Sequence, residues 1–261
     1  PCMRCGTTGL RPTFGRVART GAMSLCWSLD KIGPICRTAE DAMLVLRAIN
    51  GADPGDPSSF DVPLQFDAGA SVRGMRVGYS PAWFEGPGAT DLDRAAMETL
   101  RGLGVEMVEI EIPQDSYGDE LFMILLAEAA AAFSDLTLSN RDDELAWQAP
   151  QAWPNTFRQT WFSSAVDLIQ VQRFRRRTAQ AMNEVFADLD AMFGPSFTGG
   201  MLLITNNTGH PSITIRCGFR ENQRPHGVTF WGNLFDEGTI VRLATALERE
   251  LGVWDVRPPL D

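Results

Sequence analysis

Few side chains in this sequence could do covalent or acid–base chemistry. Lys31 is the only lysine among 23 basic residues, so a step that needs a titratable amine has one candidate. Its place between Asp30 and Ile32 reads as an exposed surface lysine. The two histidines, His210 and His226, leave a Ser-His-Asp arrangement little to draw on. His210 stands in Asn206-Asn-Thr-Gly-His-Pro-Ser212, which reads as a turn entering a strand, with the imidazole in a structural hydrogen bond. His226, after Pro225, reads as exposed. Cysteines at 2, 5, 26, 36 and 217 are odd in number and scattered, which suggests reduced thiols rather than a disulfide framework. Cys2-Met-Arg-Cys5 has zinc-knuckle spacing, but no second Cys or His pair follows at a matching distance, so no metal is expected. Nucleophile-elbow, P-loop and dinucleotide-binding patterns do not occur.

One cation is placed more tellingly. In the helix opening near Ser163-Ser164, Leu168, Val171, Ala179, Met182 and Phe186 share a face at a 3.6-residue period, and Arg175 falls inside that stripe. Arg173, Arg176 and Arg177 point elsewhere. A guanidinium that faces a core needs a partner, so Arg175 holds either an internal Asp or Glu, or an acidic or carbonyl group of a ligand.

The elements that must position these groups follow from periodicity. From Gly6 to Arg37, glycines at 6, 9, 15, 21 and 33 and prolines at 12 and 34 break up short apolar pieces, as in loops that shape a site. Thr38-Ala-Glu-Asp41 then opens a helix that ends at Asn50-Gly51, and residues 52 to 72 read as a long polar loop. Met75, Val77 and Tyr79 alternate, Leu92, Ala96, Leu100 and Leu103 repeat as a helix face, and Val108, Ile110 and Ile112 alternate with glutamates. This is a βαβ unit with a parallel strand pair. An apolar helix is expected from Glu120 to Leu138. The segment through Trp147, Trp153 and Trp161 is expected at a core edge or pocket wall, with core the favoured reading. Strands are expected around Leu189 to Phe193, Ser212 to Cys217 and Gly227 to Trp231, and a last helix runs from Asp236 to Gly252. The class is α/β, a mixed β-sheet flanked by helices, read as a single domain over 1–261.

A formal net charge of -10 and a pI near 4.8 argue against binding a nucleic-acid backbone, which needs clustered positive charge. The longest apolar run, Leu121 to Phe133, contains Glu128 and is too short to span a bilayer, so no membrane is expected. Pro1 opens no signal-peptide pattern, and the chain reads as cytoplasmic.

The stretches Gly6-Thr-Thr-Gly-Leu-Arg-Pro-Thr-Phe-Gly-Arg-Val and Ser28-Leu-Asp-Lys-Ile-Gly-Pro-Ile-Cys-Arg-Thr-Ala-Glu-Asp41 resemble the segment that follows the nucleophile motif in the amidase signature family of serine hydrolases. The likeness continues through the Arg175 helix, Asn206-Asn-Thr-Gly-His-Pro211, Cys217-Gly218-Phe219 and Phe230-Trp-Gly-Asn-Leu-Phe-Asp-Glu237. The resemblance implies an α/β/α sandwich and cleavage of carboxamides by a Ser-cis-Ser-Lys triad without a cofactor. It also implies that the nucleophilic serine stands four residues before Pro1, with the cis-serine, the catalytic lysine and the oxyanion loop further upstream. No catalytic residue is therefore expected within 1–261, and Lys31 matches a variable position of the family. Asp30, Arg175 and Asn206 are implied as substrate-pocket or scaffold-positioning groups, and the partner of the intact enzyme is a small-molecule amide. The glutamine-hydrolysing subunit of tRNA amidotransferases is the alternative within the family. Four alanines after Glu128, and Gly199-Gly200 where an acid is expected, weaken it. Arg216, where the family often has proline, puts the local strand geometry in question. A non-enzymatic alternative is a catalytically dead binding remnant whose open strand edges and apolar patches favour self-association.

Overall fold

Period-2 apolar patterning becomes one mixed sheet. The computed structural model describes residues 1–86, 88–113, 117–221 and 223–257. The first part holds α1 (Cys2–Cys5), β1 (Thr8–Arg11), β2 (Ile35–Cys36), α2 (Ala39–Ile49), β3 (Arg76–Tyr79) and α3 (Pro81–Glu85). Next come α4 (Asp91–Gly102), β4 (Glu106–Glu109), α5 (Phe122–Ala132), α6 (Ser134–Leu138), α7 (Trp153–Thr160) and α8 (Ala165–Phe186). The remainder is β5 (Ala191–Pro195), α9 (Met201–Thr208), β6 (Ser212–Phe219), β7 (Pro225–Gly232) and α10 (Glu237–Leu251).

The strand order is β2-β1-β6-β7-β5-β3-β4. β3 lies parallel to β4 and to β5, with Val77 opposite Met107 on one side and Ala191 on the other. The pairs from β5 through β7, β6 and β1 to β2 are antiparallel. The expected βαβ unit is present, its second strand ending at Glu109 rather than Ile112. β5 is buried throughout and β6 and β7 nearly so, as expected for central strands covered on both faces. Arg216 keeps its strand, pairing with Gly227, and a register shift follows between Arg216 and Gly218.

The main core joins this sheet to α2, α4, α10 and the C-terminal end of α8 through Leu46, Leu100, Leu243, Leu247, Met182 and Phe186. Two ties fix the sheet's flank. Thr8 Oγ1 and the Ala39 N–H both donate to the buried Glu248 carboxylate, which caps α2 from α10. Arg16 and Glu237, fully buried, pair at 2.6 Å, and Glu237 also accepts from the Thr13 N–H.

The expected 120–138 helix is divided at Phe133 into α5 and α6. The core reading holds for one tryptophan of three: Trp153, 40% exposed, lies at a core edge with its ring stacked on the buried Phe157, whereas Trp147 and Trp161 are 57% and 51% exposed. Ser164 caps α8 as expected, its Oγ accepting from the Val166 and Asp167 N–H groups. Among the described residues no helix is long and apolar enough to cross a membrane.

Candidate functional site

The site grows from the loop after β1. Gly33 lets that loop return close to β1, since a Cβ there would lie 2.1 Å from the Leu10 carbonyl oxygen. Within the loop, Asp30 Oδ2 accepts from the Leu25 and Cys26 N–H groups at 2.8 and 2.9 Å, so the carboxylate closes its own turn. Glu128 of α5 accepts from the Ser28 N–H at 2.8 Å, from Ser28 Oγ at 2.6 Å and from the Cys26 thiol at 3.2 Å. Arg175 of α8 completes the network, with Nη1 donating to Ser28 Oγ at 2.9 Å, Nη2 to the Ser28 carbonyl at 3.0 Å and Nε to the Asn207 carbonyl at 2.6 Å.

Arg175 thus turns inward as its stripe requires, but no internal Asp or Glu is its direct partner among the described residues. It holds two carbonyls and a hydroxyl, and Glu128 is one hydrogen bond further on through Ser28. Ser28 Oγ gives its proton to Glu128 while accepting from a guanidinium, so it is committed to holding the loop rather than free to attack a substrate. Burial, followed by the bond to Glu128, pushes the Cys26 thiol up to about 12, which leaves it inert.

Lys31 departs from the surface reading. It is half-buried, and Nζ donates to the Leu29 carbonyl at 2.5 Å and the Asn206 carbonyl at 3.2 Å, with Asn206 Oδ1 at 3.5 Å. Burial first, then the charges of Arg11 and Arg175, bring its pKa down to about 7, against the opposing pull of Asp30 and Cys26. Lys31 and Asp30 line two cavities at once, one of about 990 Å³ that also meets Ser28 and Glu128, the other of about 810 Å³ that meets Arg11 and Asn206. The three expected pocket residues are therefore brought to one place. Asp30 and Asn206 flank Lys31, and Arg175 braces the loop from behind.

The second cavity takes another wall from α9, which reads from sequence only as a turn. Gly200 and Gly209, both left-handed, bound this helix, and its last turn carries Asn206 and Asn207. Asn206 Nδ2 bonds back to the Leu202 carbonyl. His210 has the structural role expected of it, Nδ1 lying 2.7 Å from Thr208 Oγ1 with the ring stacked on Phe186. Burial and the nearby Arg11 lower its pKa to about 4.

His226 is 2% exposed, contrary to expectation. Its Nδ1 accepts from the Arg220 guanidinium, which leaves Nε2 to donate to Asp93 Oδ1 at 2.9 Å. This ties β7 to the first turn of α4 and lies away from Lys31. Sequence reasoning missed Glu128, Ser28 and Arg11. Only Glu128 carried a signal, as the sole charge inside the apolar run from Leu121 to Phe133.

A family model described as Amidase matches residues 1–203. A glutamyl-tRNA(Gln) amidotransferase subunit from Lysinibacillus sphaericus is 31% identical over 295 residues, which cover 95% of this chain and 60% of that protein. Among solved structures, the native peptide amidase from Stenotrophomonas maltophilia superposes with a TM-score of 0.79 at 25% identity, over 94% of this chain and 58% of its own. The corresponding glutamyl-tRNA(Gln) amidotransferase subunit from Thermotoga maritima has the same fold, with a TM-score of 0.76 at 24% identity over 95% of this chain and 59% of that one. The chain spans about three fifths of the length of the curated relatives it matches.

Proposed function

From the premise that the chain belongs to the amidase family, we propose that it hydrolyses carboxamide C–N bonds, with residues 1–261 forming the substrate-side wall and the Ser and Lys machinery supplied upstream of Pro1. The observation that carries this reading is the Arg175–Ser28–Glu128 network. It pins the loop that resembles the family's post-nucleophile segment between two cavities. In the reaction so implied, a serine oxygen attacks the amide carbonyl, the amine leaves with a proton, and water hydrolyses the acyl-enzyme ester. The apolar part of the wall, with Leu125, Leu202 and Leu203, supports a general amidase.

A fluorophosphonate probe and a panel of aryl and alkyl amides test this on the full-length protein. Covalent labelling together with amine release is expected, both lost when the upstream serine is replaced. Labelling of a residue within 1–261 would overturn the placement of the nucleophile. A full-length protein that neither labels nor cleaves amides would favour a catalytically dead binding protein.

The names of the relatives at 28–31% identity support a second reading, the glutamine-hydrolysing subunit of a tRNA amidotransferase. The alanines after Glu128 and the glycines at 199 and 200 count against it. Ammonia released from glutamine faster than from neutral alkyl amides would reverse the order of the two.

A further inference from the structure

Of the eight asparagines in the sequence, only Asn50 is followed by glycine. Such a pair carries the atoms of a reaction within itself. The glycine nitrogen can attack the side-chain carbonyl carbon of the asparagine, because no side chain crowds that nitrogen and the backbone around it turns freely. Here Asn50 closes α2, and Gly51 follows with a φ of 133° that favours glycine.

Both reacting groups are held by one residue. The fully buried Arg16 donates from Nη1 to Asn50 Oδ1 at 2.9 Å, and its carbonyl accepts the Gly51 N–H at 3.1 Å. Arg16 is anchored in turn by Glu237 and by the Val62 and Phe235 carbonyls, and its neighbour Val17 forms a parallel bridge with Gly51. The contacts act in opposite directions. A guanidinium on Oδ1 draws electrons from the carbonyl carbon and readies it for attack. The nucleophile is withheld, because its N–H is engaged and the ring cannot close. Closure needs Cβ, Cα, the backbone carbonyl carbon and the Gly51 nitrogen nearly coplanar, which the Asn50 ψ of 140° does not give.

We propose that Asn50-Gly51 is a self-modification site, kept closed by the Arg16 clamp in the folded chain and released when the end of α2 opens. A bond forms between the Gly51 nitrogen and Asn50 Cγ, and the Cγ–Nδ2 bond breaks. The Gly51 amide proton leaves with the side-chain nitrogen as ammonia. Water then adds across one C–N bond of the five-membered imide, giving aspartate when the ring opens at Cγ and isoaspartate when it opens at the backbone carbonyl. Nothing is oxidised or reduced. Either product sets a carboxylate where Arg16 meets a neutral amide, and isoaspartate also lengthens the main chain by one atom between α2 and the loop that follows. That loop belongs to the site: its Asp56 accepts from Arg19 and Ser58, and residues 55–58 line the 990 Å³ cavity beside Arg19. A transient opening is thus converted into a permanent change in one cavity wall. The inference is independent of the amidase reading, since the amide that reacts is the chain's own.

The test follows Asn50 by peptide mapping and isoaspartate quantification in the full-length protein, held in mildly alkaline buffer both folded and in urea. In urea Asn50 is expected to convert faster than the other asparagines. In the fold its conversion should be roughly 10-fold slower or more, because an opening step precedes the reaction. Protection of the Gly51 amide against hydrogen exchange should match that slowing, since the same bond to the Arg16 carbonyl must break first. Glu237→Gln removes the counter-charge of Arg16 and should raise the folded-state rate roughly 10-fold or more, leaving the exposed Asn140 unchanged. An Asn50 that does not convert in urea, equal rates in urea and in the fold, or a Gly51 amide that exchanges freely while Asn50 persists would overturn the proposal. These three readouts use the unaltered protein and decide the matter even where Glu237→Gln fails to fold.

Discussion

Glu128 is the acceptor on which the loop depends. It takes three donors from Cys26 and Ser28, so Glu128→Ala leaves the half-buried Ser28 N–H unpaired and is expected to cost about 1–3 kcal/mol. Urea unfolding should report this as a lower midpoint at unchanged slope. Glu128→Gln, which retains one oxygen acceptor, should lose less. His210 sets a pH dependence. Its pKa in the fold, about 4, lies below the ordinary 6.5, so between these values the unfolded chain binds more protons and stability falls as pH drops. The displacement from 6.5 to about 4 corresponds to about 3 kcal/mol. A His210→Gln variant should show a shallower stability profile from pH 6.5 to 4, and an unchanged profile would refute the assignment. The site is only partly legible in sequence. Arg175 can be read as inward-facing because its stripe is local, but its partner Ser28 lies 147 residues away, and no periodicity reports on such a contact. Lys31 reads wrongly as a surface residue for the same reason: the α9 turn that closes over it is contributed from 175 residues further on. His226 meets Asp93 across 133 residues.

The elements are more legible, because their signals are local. α2, α8 and α10 follow from caps and 3.6-residue stripes, and β3, α4 and β4 from the change of period between them. α9 escapes notice because it is only eight residues long, ends in Asn-Asn-Thr and is framed by glycines, all of which read as turn chemistry. Trp147 and Trp161 mislead because large aromatic side chains suggest burial whether or not the fold supplies a partner, while Trp153 finds one in Phe157. One tie between elements makes a strong stability prediction. Glu237, the first residue of α10, pairs with Arg16, and Arg16 also donates to Asn50 Oδ1 at the end of α2 and to the Val62 and Phe235 carbonyls. Glu237→Gln leaves a fully buried guanidinium without its counter-charge, and breaking such a pair costs about 3–5 kcal/mol. A fall in melting temperature is expected in Glu237→Gln, and a near-native midpoint would show that Arg16 finds compensation from its carbonyl partners alone.

Across the whole molecule, stability is divided between unequal cores. The sheet shares one large apolar cluster with α2, α4, α10 and the C-terminal end of α8. The layer of α5 and α7 depends on two small clusters, one joining Cys26, Leu29, Ile124 and Val171, the other Ala129, Ala130 and Phe157. Opening free energy follows buried apolar contact, so this layer should open without the sheet. The consequence reaches the site, because Leu125 and Phe122 of α5 line the cavity opposite β1 while Arg11 stands on β1 itself. One wall is thus fixed to the main core and the other can yield, as the proposed amidase function would require of a partly enclosed substrate cavity. Native-state hydrogen exchange of the full-length protein should show α5 and α7 amides exchanging through a sub-global opening, while Ile213, Ile215 and Val228 of β6 and β7 exchange only with global unfolding. Glu128→Gln should speed exchange in α5 and in the loop from residue 25 to residue 31 together, since one carboxylate joins them, and should leave β6 and β7 at the rate set by global stability. If α5 proved as slow as the central strands, the two small clusters would have to be coupled to the main core through α8, and entry to the cavity would then need a different moving wall.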